Sequence, residues 1–284
     1  DVGDDFENPN DPNYEYETIS SAAEFLAAIN GDGGNYIVIS HLNITSTPTT
    51  SALAATRSTT GKTVNINLNG KTITVDNKNT TTALVTLNPG DALIFSGEGT
   101  IESTGTGTGK LVEGGTVVVT GAAEVDTAAA EVVAGVDALK YVLANGGEFT
   151  FADNLEIAEK LTVATDVVIN GNGKTLTYTG ADRAIDCPNS NTNVTINDLT
   201  VVCTASYCQR GINFNNAGTL TLNKVNVSGT NVTYALNLPG SSDNCTVNIN
   251  DSSLSGNIAL NVWGENSTIN TNNTIFTSVD NSTA

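Results

Sequence analysis

The sequence predicts an all-β solenoid, in which short parallel strands stack coil upon coil. Three observations support this fold class: a composition rich in Asn, Thr, Gly, Val and Ile, many short segments of alternating apolar and polar residues, and the return of those segments at a nearly constant spacing. β-Branched residues favour strands, whereas Asn and Gly favour tight turns. A repeat of 20 to 27 residues accommodates three short strands with their turns.

The first repeated segment alternates apolar and polar residues and closes on Asn. From Asn170 onward the closing Asn recurs after 27, 26, 27 and 20 residues. The copies are VNIN (64–67), VVIN (167–170), VTIN (194–197), LTLN (220–223), VNIN (247–250) and STIN (267–270). Strand side chains alternate between two faces, so the apolar residues of each copy are expected to point inward. The closing Asn residues are expected to take the left-handed conformation that turns require.

A second block keeps step with the first. Its copies are AIDC (184–187), GINF (211–214), ALNL (235–238) and ALNV (259–262). Alternation predicts an inward row of Ile185, Ile212, Leu236 and Leu260, joined by Cys187, Phe214, Leu238 and Val262. Just ahead of the block, Arg183, Arg210 and Tyr234 occupy equivalent places, and Asp186, Asn213, Asn237 and Asn261 are predicted to form an outward row within it.

The outward row has two interpretations. Amides and a carboxylate can bond sugar hydroxyls, and aromatic rings can stack on sugars. This interpretation gives the candidate ligand-binding residues Arg183, Asp186, Arg210, Asn213, Tyr234, Asn237, Asn261 and Trp263. Alternatively, the Asn residues form an amide ladder that stabilises the stack, and Trp263 packs under a turn.

A Gly-Lys-Thr sequence occurs twice, in VNINLNGKTITV (64–75) and VVINGNGKTLTY (167–178). A phosphate-binding P-loop needs a glycine five residues before Gly-Lys, where this chain has Asn65 and Val168, and it needs a long helix after the Thr. The repeated sequence therefore predicts a turn and the start of the next strand, with Ile73 and Leu176 pointing inward. Asn-Gly is also a hairpin signal, so an antiparallel sandwich is the competing fold.

Two amphipathic segments, 19–34 and 130–147, each end in Gly-rich sequence and are predicted to be short helices that cap the start of a β-helical unit. The predicted organisation is an acidic flexible tether at 1–18, a first helix-capped β-helical unit at 19–125 and a second one at 126–284. This pattern resembles the right-handed parallel β-helix proteins of pectin-lyase-like architecture, and no catalytic motif of that family accompanies it.

The four cysteines lie in the second half, and none forms a Cys-x-x-Cys pair. Cys203 and Cys208 flank a predicted turn and form a candidate disulfide in an oxidising compartment, while four unlinked thiols are the alternative. With His41 as the single histidine, the sequence predicts neither a zinc site nor a Ser/His/Asp triad. No cofactor is expected.

Eleven basic residues against thirty acidic ones give a net charge of −19, which disfavours nucleic acid as a partner. The acidic N-terminal segment, the Asn- and Thr-rich repeats and the missing catalytic sets resemble the secreted or lipid-anchored adhesins of Bacteroidetes. We therefore expect a non-enzymatic extracellular or outer-surface protein that binds a glycan or a host or cell-surface protein. A membrane contact is expected only through an N-terminal lipid anchor outside this sequence. A polysaccharide lyase or hydrolase and a structural spacer are the alternatives.

Overall fold

The computed structural model describes residues 16–45, 53–54, 61–77, 81–188, 191–229 and 231–279. The chain divides into two compact units, one up to Ala138 and the other from Leu139 onward, and the division falls inside the second helix. The sequence placed this boundary at residue 125, before the helix. Both units are parallel β-solenoids, and together they comprise about nine turns with two short helices.

The N-terminal unit builds two parallel sheets. Its elements are β1 (Glu17–Ile19), α1 (Ala22–Ile29), β2 (Gly34–Val38), β3 (Leu42–Thr45), β4 (Leu53–Ala54), β5 (Thr63–Asn67), β6 (Lys71–Asp76), β7 (Val85–Ser96), β8 (Gly99–Ser103), β9 (Val112–Val119) and β10 (Ala123–Val125). One sheet has the order β1-β2-β5-β7-β4, and β9 also pairs with β7. The other sheet has the order β10-β8-β6-β3. Residues 1–15 of the predicted tether lie outside the described residues, and Glu17 and Thr18 pair with β2.

The C-terminal unit has three parallel sheets. Its elements follow α2 (Gly135–Asn145): β11 (Gly147–Thr150), β12 (Leu155–Ile157), β13 (Leu161–Thr162), β14 (Val167–Asn170), β15 (Thr175–Tyr178), β16 (Arg183–Cys187), β17 (Val194–Asn197), β18 (Thr200–Cys203), β19 (Cys208–Phe214), β20 (Thr219–Asn223), β21 (Asn226–Gly229), β22 (Val232–Leu238), β23 (Thr246–Asn250), β24 (Ser253–Gly256), β25 (Ile258–Val262), β26 (Thr268–Asn272) and β27 (Ile275–Ser278). Every third strand joins the same sheet: β11-β14-β17-β20-β23-β26, β12-β15-β18-β21-β24-β27 and β13-β16-β19-β22-β25.

The predicted apolar rows are confirmed except in the last coil, where Leu260 is partly exposed and Val262, which was expected to point inward, is 41% exposed. Val167 and Ile169 on β14 pair with Val194 and Ile196 on β17, and the row continues through the equivalent apolar residues of β20 and β23. All of these side chains are buried, while Thr195 and its equivalents on the other face are partly exposed. One solenoid core therefore runs along the unit, built from the same strand positions in each coil.

The last coil differs from the predicted alignment. We aligned STIN (267–270) with VNIN (247–250), which would place Asn270 beside Asn250. The structure instead pairs Asn250 with Asn272, and Asn270 with Asn248. Asn occurs at both 270 and 272, so the sequence pattern fits either register. The spacing in the last coil is thus 22 residues between the two paired asparagines rather than 20.

The corner after each closing Asn requires a left-handed residue, but the closing Asn does not provide it. The residues with positive φ are the next ones along: Asp198 (48°), Lys224 (54°), Asp251 (50°) and Asn273 (45°). At the two Gly-Lys-Thr corners, Asn69-Gly70 and Asn172-Gly173 both have positive φ. The strands flanking these corners belong to different sheets, so the turns are not hairpins and the sandwich alternative is wrong.

Both helices are shorter than the amphipathic segments that predicted them. Ser21 begins α1 with a capping box, in which its Oγ accepts from the Glu24 backbone N–H at 3.3 Å and Glu24 Oε2 accepts from the Ser21 N–H at 3.1 Å. Phe25 stacks on Phe95 of β7 with ring centroids 6.4 Å apart. The helix α1 therefore packs its apolar face on the core of its unit. In α2, Leu139, Val142 and Leu143 are buried.

Candidate functional site

The structure brings most of the sequence-predicted site residues onto one sheet, formed by β16, β19, β22 and β25. Arg183, Arg210 and Tyr234 are direct neighbours in successive coils. A second row three residues further along contains Asp186, Asn213, Asn237 and Asn261, also in direct register. Both predicted rows are therefore confirmed as rows.

The second row is a hydrogen-bonded ladder. Asn213 Nδ2 donates to Asp186 Oδ1, Asn237 Nδ2 to Asn213 Oδ1, and Asn261 Nδ2 to Asn237 Oδ1, each at 2.7 Å. Asp186, Asn213 and Asn237 are only 3%, 4% and 2% exposed. The expectation that they lie on an open outward row is wrong, because burial on this sheet does not alternate and all of Ala184–Cys187 is buried. For those candidate ligand-binding residues that are accessible to solvent, contact with a ligand stays a prediction.

Asp186 is the acceptor end of this ladder and a centre of local charge. Its Oδ2 accepts from Lys160 Nζ at 3.1 Å and from an Arg183 guanidinium nitrogen at 3.2 Å. Arg183 also lies 3.6 Å from an oxygen of Asp182. A buried carboxylate needs such partners, because removing it from water without them is costly. The sequence pattern did not predict the contact between Lys160 and Asp186.

Arg210 and Tyr234 form a cation–π pair on adjacent strands of the same sheet. The guanidinium carbon of Arg210 lies 5.7 Å from the centroid of the Tyr234 ring. Its Nη1 donates to Gln209 Oε1 at 2.9 Å, and both Arg210 and Tyr234 are partly exposed. We call the group Arg183, Gln209, Arg210 and Tyr234 the Arg210 surface. Tyr207, the residue before β19, is 46% exposed.

Trp263 does not belong to this group. Its backbone N–H donates to Leu238 O, four residues beyond Tyr234 and thus about 13 Å along the strand direction. The side chain is 70% exposed, so the alternative in which Trp263 packs under a turn is wrong. It lies in the last coil with other exposed apolar residues, namely Ile258, Val262, Ile275, Phe276 and Val279.

All four cysteines are buried free thiols in the structure. Interaction with the Cys208 thiol, together with burial, raises the pKa of Cys203, and the same interaction lowers the pKa of Cys208, whose Sγ donates to Arg210 O at 3.4 Å. Burial also raises the pKa of Cys187, with a contribution from the negative charge of Asp186. The Cys203–Cys208 disulfide stays a prediction.

Sequence reasoning missed Glu148. It stands on β11 at the start of a second amide ladder, where Asn170 Nδ2 donates to its Oε1. The ladder continues as Asn197 donates to Asn170 and Asn223 to Asn197, each at 2.8 Å. Burial raises the pKa of Glu148 to about 7, against the opposing effect of the bond from Asn170. The sequence offered little signal, because Glu148 is the register partner of Val168 and Thr150 occupies the position equivalent to Asn170.

Within the part of the chain that the structure describes, no cluster of three or more His, Cys, Asp and Glu side chains could hold a metal ion. In the same residues, neither helix has the length and apolar character that a membrane crossing requires. Comparison of the chain with protein-family models, curated proteins and solved structures finds no match.

Proposed function

We propose that the protein is a non-enzymatic extracellular or cell-surface protein that binds a glycan through the Arg210 surface, in the manner of an adhesin. The observation that carries the proposal is the Arg210–Tyr234 pair, which presents an aromatic ring and a guanidinium together at a partly exposed strand position. Aromatic faces stack on the C–H faces of sugars, and guanidinium groups donate to sugar oxygens.

The surrounding architecture supports this use of the pair. Arg210 and Tyr234 come from consecutive coils held in fixed register by the parallel sheet. The buried Asp186–Asn213–Asn237–Asn261 ladder runs beside them and fixes the backbone of each coil. A binding surface on such a scaffold is organised before the ligand arrives, which reduces the entropy lost on binding. The ladder thus positions the coils, and the partly exposed Arg210 and Tyr234 contact the glycan.

A glycan array tests the proposal directly. The parent protein is expected to retain one or more glycans, and the double variant Arg210→Ala/Tyr234→Ala is expected to lose that binding while its melting temperature stays unchanged. The matched control is Lys71→Ala, which removes one positive charge from the other compact unit and should leave binding intact. Unchanged binding in the double variant would remove the Arg210 surface from the proposal.

The same experiment separates the alternatives. A polysaccharide lyase or hydrolase shortens the retained polymer, so the chain length of the glycan is measured before and after incubation, with and without calcium. We expect it to be unchanged. A structural spacer retains no glycan at all, and a screen against host or cell-surface proteins then distinguishes a protein partner from no partner.

A further inference from the structure

Two consecutive coils of the Arg210 surface carry the same arginine in different electrostatic surroundings. Arg183 and Arg210 are direct register neighbours on β16 and β19. In the first coil the arginine follows Asp182 and precedes Asp186 by three residues; in the second it follows Gln209 and precedes Asn213 by three residues. Both carboxylates of the first coil are therefore replaced by neutral amides in the second.

Arg183 forms ion pairs with two carboxylates of its own coil. One of its guanidinium nitrogens lies 3.2 Å from Asp186 Oδ2 and another lies 3.6 Å from Asp182 Oδ1. Lys160 shares Asp186 at 3.1 Å. Arg183 thus has two carboxylate partners in its own coil.

Arg210 keeps its charge without a carboxylate partner. Among the described residues, the ion pairs within 4.0 Å involve Lys140, Lys160 and Arg183, and none involves Arg210. Its Nη1 bonds only the neutral Gln209 amide, and its Nε, like that of Arg183, is buried without a hydrogen-bond partner. A partly buried guanidinium with unused donors favours an acceptor that carries a negative charge.

We propose that the glycan bound at this surface is anionic, and that Arg210 takes the carboxylate or sulfate group of one sugar residue. This inference rests on the proposed glycan-binding function and specifies its ligand class. The planar guanidinium forms paired hydrogen bonds with either anion, and the Tyr234 ring on its other side holds it in place. The net charge of −19 repels a long polyanion, so the site is suited to a glycan with isolated charged residues.

The ligand is tested with matched pairs of oligosaccharides that differ only in charge. One pair compares a uronic-acid trisaccharide with its methyl ester, and the other compares a sulfated trisaccharide with its unsulfated form, with affinities measured by isothermal titration calorimetry. We expect at least one charged member to bind about ten- to a hundredfold more tightly than its neutral partner, as the loss of a charge-assisted hydrogen bond predicts. The two pairs distinguish a carboxylate from a sulfate.

The variant Gln209→Glu gives the sharper test, because it restores a carboxylate beside Arg210 while retaining the side-chain length and the acceptor oxygen. It should abolish the preference for the charged sugar over its neutral partner. Asp182→Asn is the reverse change, since it removes one carboxylate from Arg183, and it should maintain or increase the preference. Circular dichroism and the melting temperature verify that both variants fold.

The outcomes separate this inference from the proposed function. If neutral and charged sugars bind equally well, or if Gln209→Glu keeps the preference, the anionic ligand is wrong while glycan binding stands. If no sugar of any charge binds to the parent protein, the proposed function fails and the inference fails with it.

Discussion

Asn170 donates its side-chain amide to the carboxylate of Glu148, and this bond begins an amide ladder that continues through Asn197 and Asn223. The other ladder in the same unit begins at Asp186. In both ladders each Asn donates to the preceding coil, so the first residue only accepts. A carboxyl group supplies an acceptor oxygen whether it is ionised or protonated, which makes it a suitable first residue.

Glu148→Gln should reduce the pH dependence of stability. The pKa of Glu148 rises from 4.5 to about 7 in the folded protein, so the folded state binds this proton more tightly than the unfolded chain. Its stabilising effect is complete below pH 4.5 and is lost as the pH rises through about 7. Gln is neutral at every pH and can still accept from Asn170. Between pH 4.5 and pH 8, we expect the unfolding free energy of the variant to change less than that of the parent, by on the order of 1–3 kcal/mol.

Urea denaturation at the two pH values measures this difference. Glu156→Gln is the control, because Glu156 is an exposed carboxylate on the neighbouring strand β12 and the same chemical change there should leave the pH dependence as in the parent. A Glu148→Gln variant with the pH dependence of the parent would contradict the role assigned to the buried carboxyl.

Asn237→Ala should destabilise the protein strongly. Asn237 donates to Asn213 Oδ1 and accepts from Asn261 Nδ2, both at 2.7 Å. Alanine removes both bonds and leaves buried polar atoms without partners, which costs about 2–4 kcal/mol. The free energy of unfolding from urea denaturation gives the value.

The comparison for this prediction is Asn248→Ala on the partly exposed face of the β23 sheet. Asn248 bonds Thr221 at 3.4 Å and Asn270 at 2.9 Å, and water can replace these contacts. We expect a loss below about 1 kcal/mol there. Equal losses at both positions would show that burial of the Asp186–Asn261 ladder does not determine its contribution.

The repeat could be predicted from the sequence because strand alternation and parallel register impose the same residue class at the same position in every coil. Ile185 and Ile212, and Arg183 and Arg210, pair as their alignment predicted. The last coil was misaligned because Asn270 and Asn272 fit the pattern equally well, and only the structure selects Asn272 as the partner of Asn250.

Exposure at the candidate site could not be predicted in the same way. Alternation assigns Asn213 to the outer face of its strand, but whether that face meets water depends on how the neighbouring segments pack, which period-two patterns do not encode. The electrostatic difference between Arg183 and Arg210 was visible in the aligned sequences DRAID (182–186) and QRGIN (209–213), yet its meaning required the measured ion pairs of Arg183.

Lys224→Asn should stabilise the protein. Lys224 has φ of 54°, whereas the equivalent corner residues are Asp198, Asp251 and Asn273. The left-handed conformation costs an ordinary residue about 1–2 kcal/mol, and Asn adopts it more readily. The Lys224 N–H bond to Asn250 O at 2.9 Å is a backbone contact and is retained. We expect the unfolding free energy to rise by about 0.5–1 kcal/mol, measured in urea.

Lys224→Gln separates strain from charge, because it removes the same charge without introducing a residue that favours positive φ. It should leave the unfolding free energy close to that of the parent. If both variants stabilise the protein to the same extent, charge rather than backbone conformation explains the gain.

Oxidation should link Cys203 to Cys208 and leave Cys187 and Cys245 as thiols. The thiols of Cys203 and Cys208, at the end of β18 and the start of β19, lie close enough to shift each other's pKa. Thiol–disulfide exchange with oxidised glutathione would join them, with two protons and two electrons passing to the glutathione disulfide. Interaction with Cys203 lowers the pKa of Cys208, so Cys208 is expected to supply the attacking thiolate, and because both thiols are buried we expect the reaction to be slow and faster at high pH.

Thiol titration in denaturant should then count two free cysteines instead of four, and peptide mapping should recover the linked pair. Closing this short loop constrains the unfolded chain and should add about 2 kcal/mol to the unfolding free energy. The double variant Cys203→Ser/Cys208→Ser should keep two free thiols under both conditions and show no gain on oxidation. A bond from either residue to Cys187 or Cys245 would require the coils to open, so finding one in the folded protein would contradict the observed pairing of β18 and β19 with their neighbours.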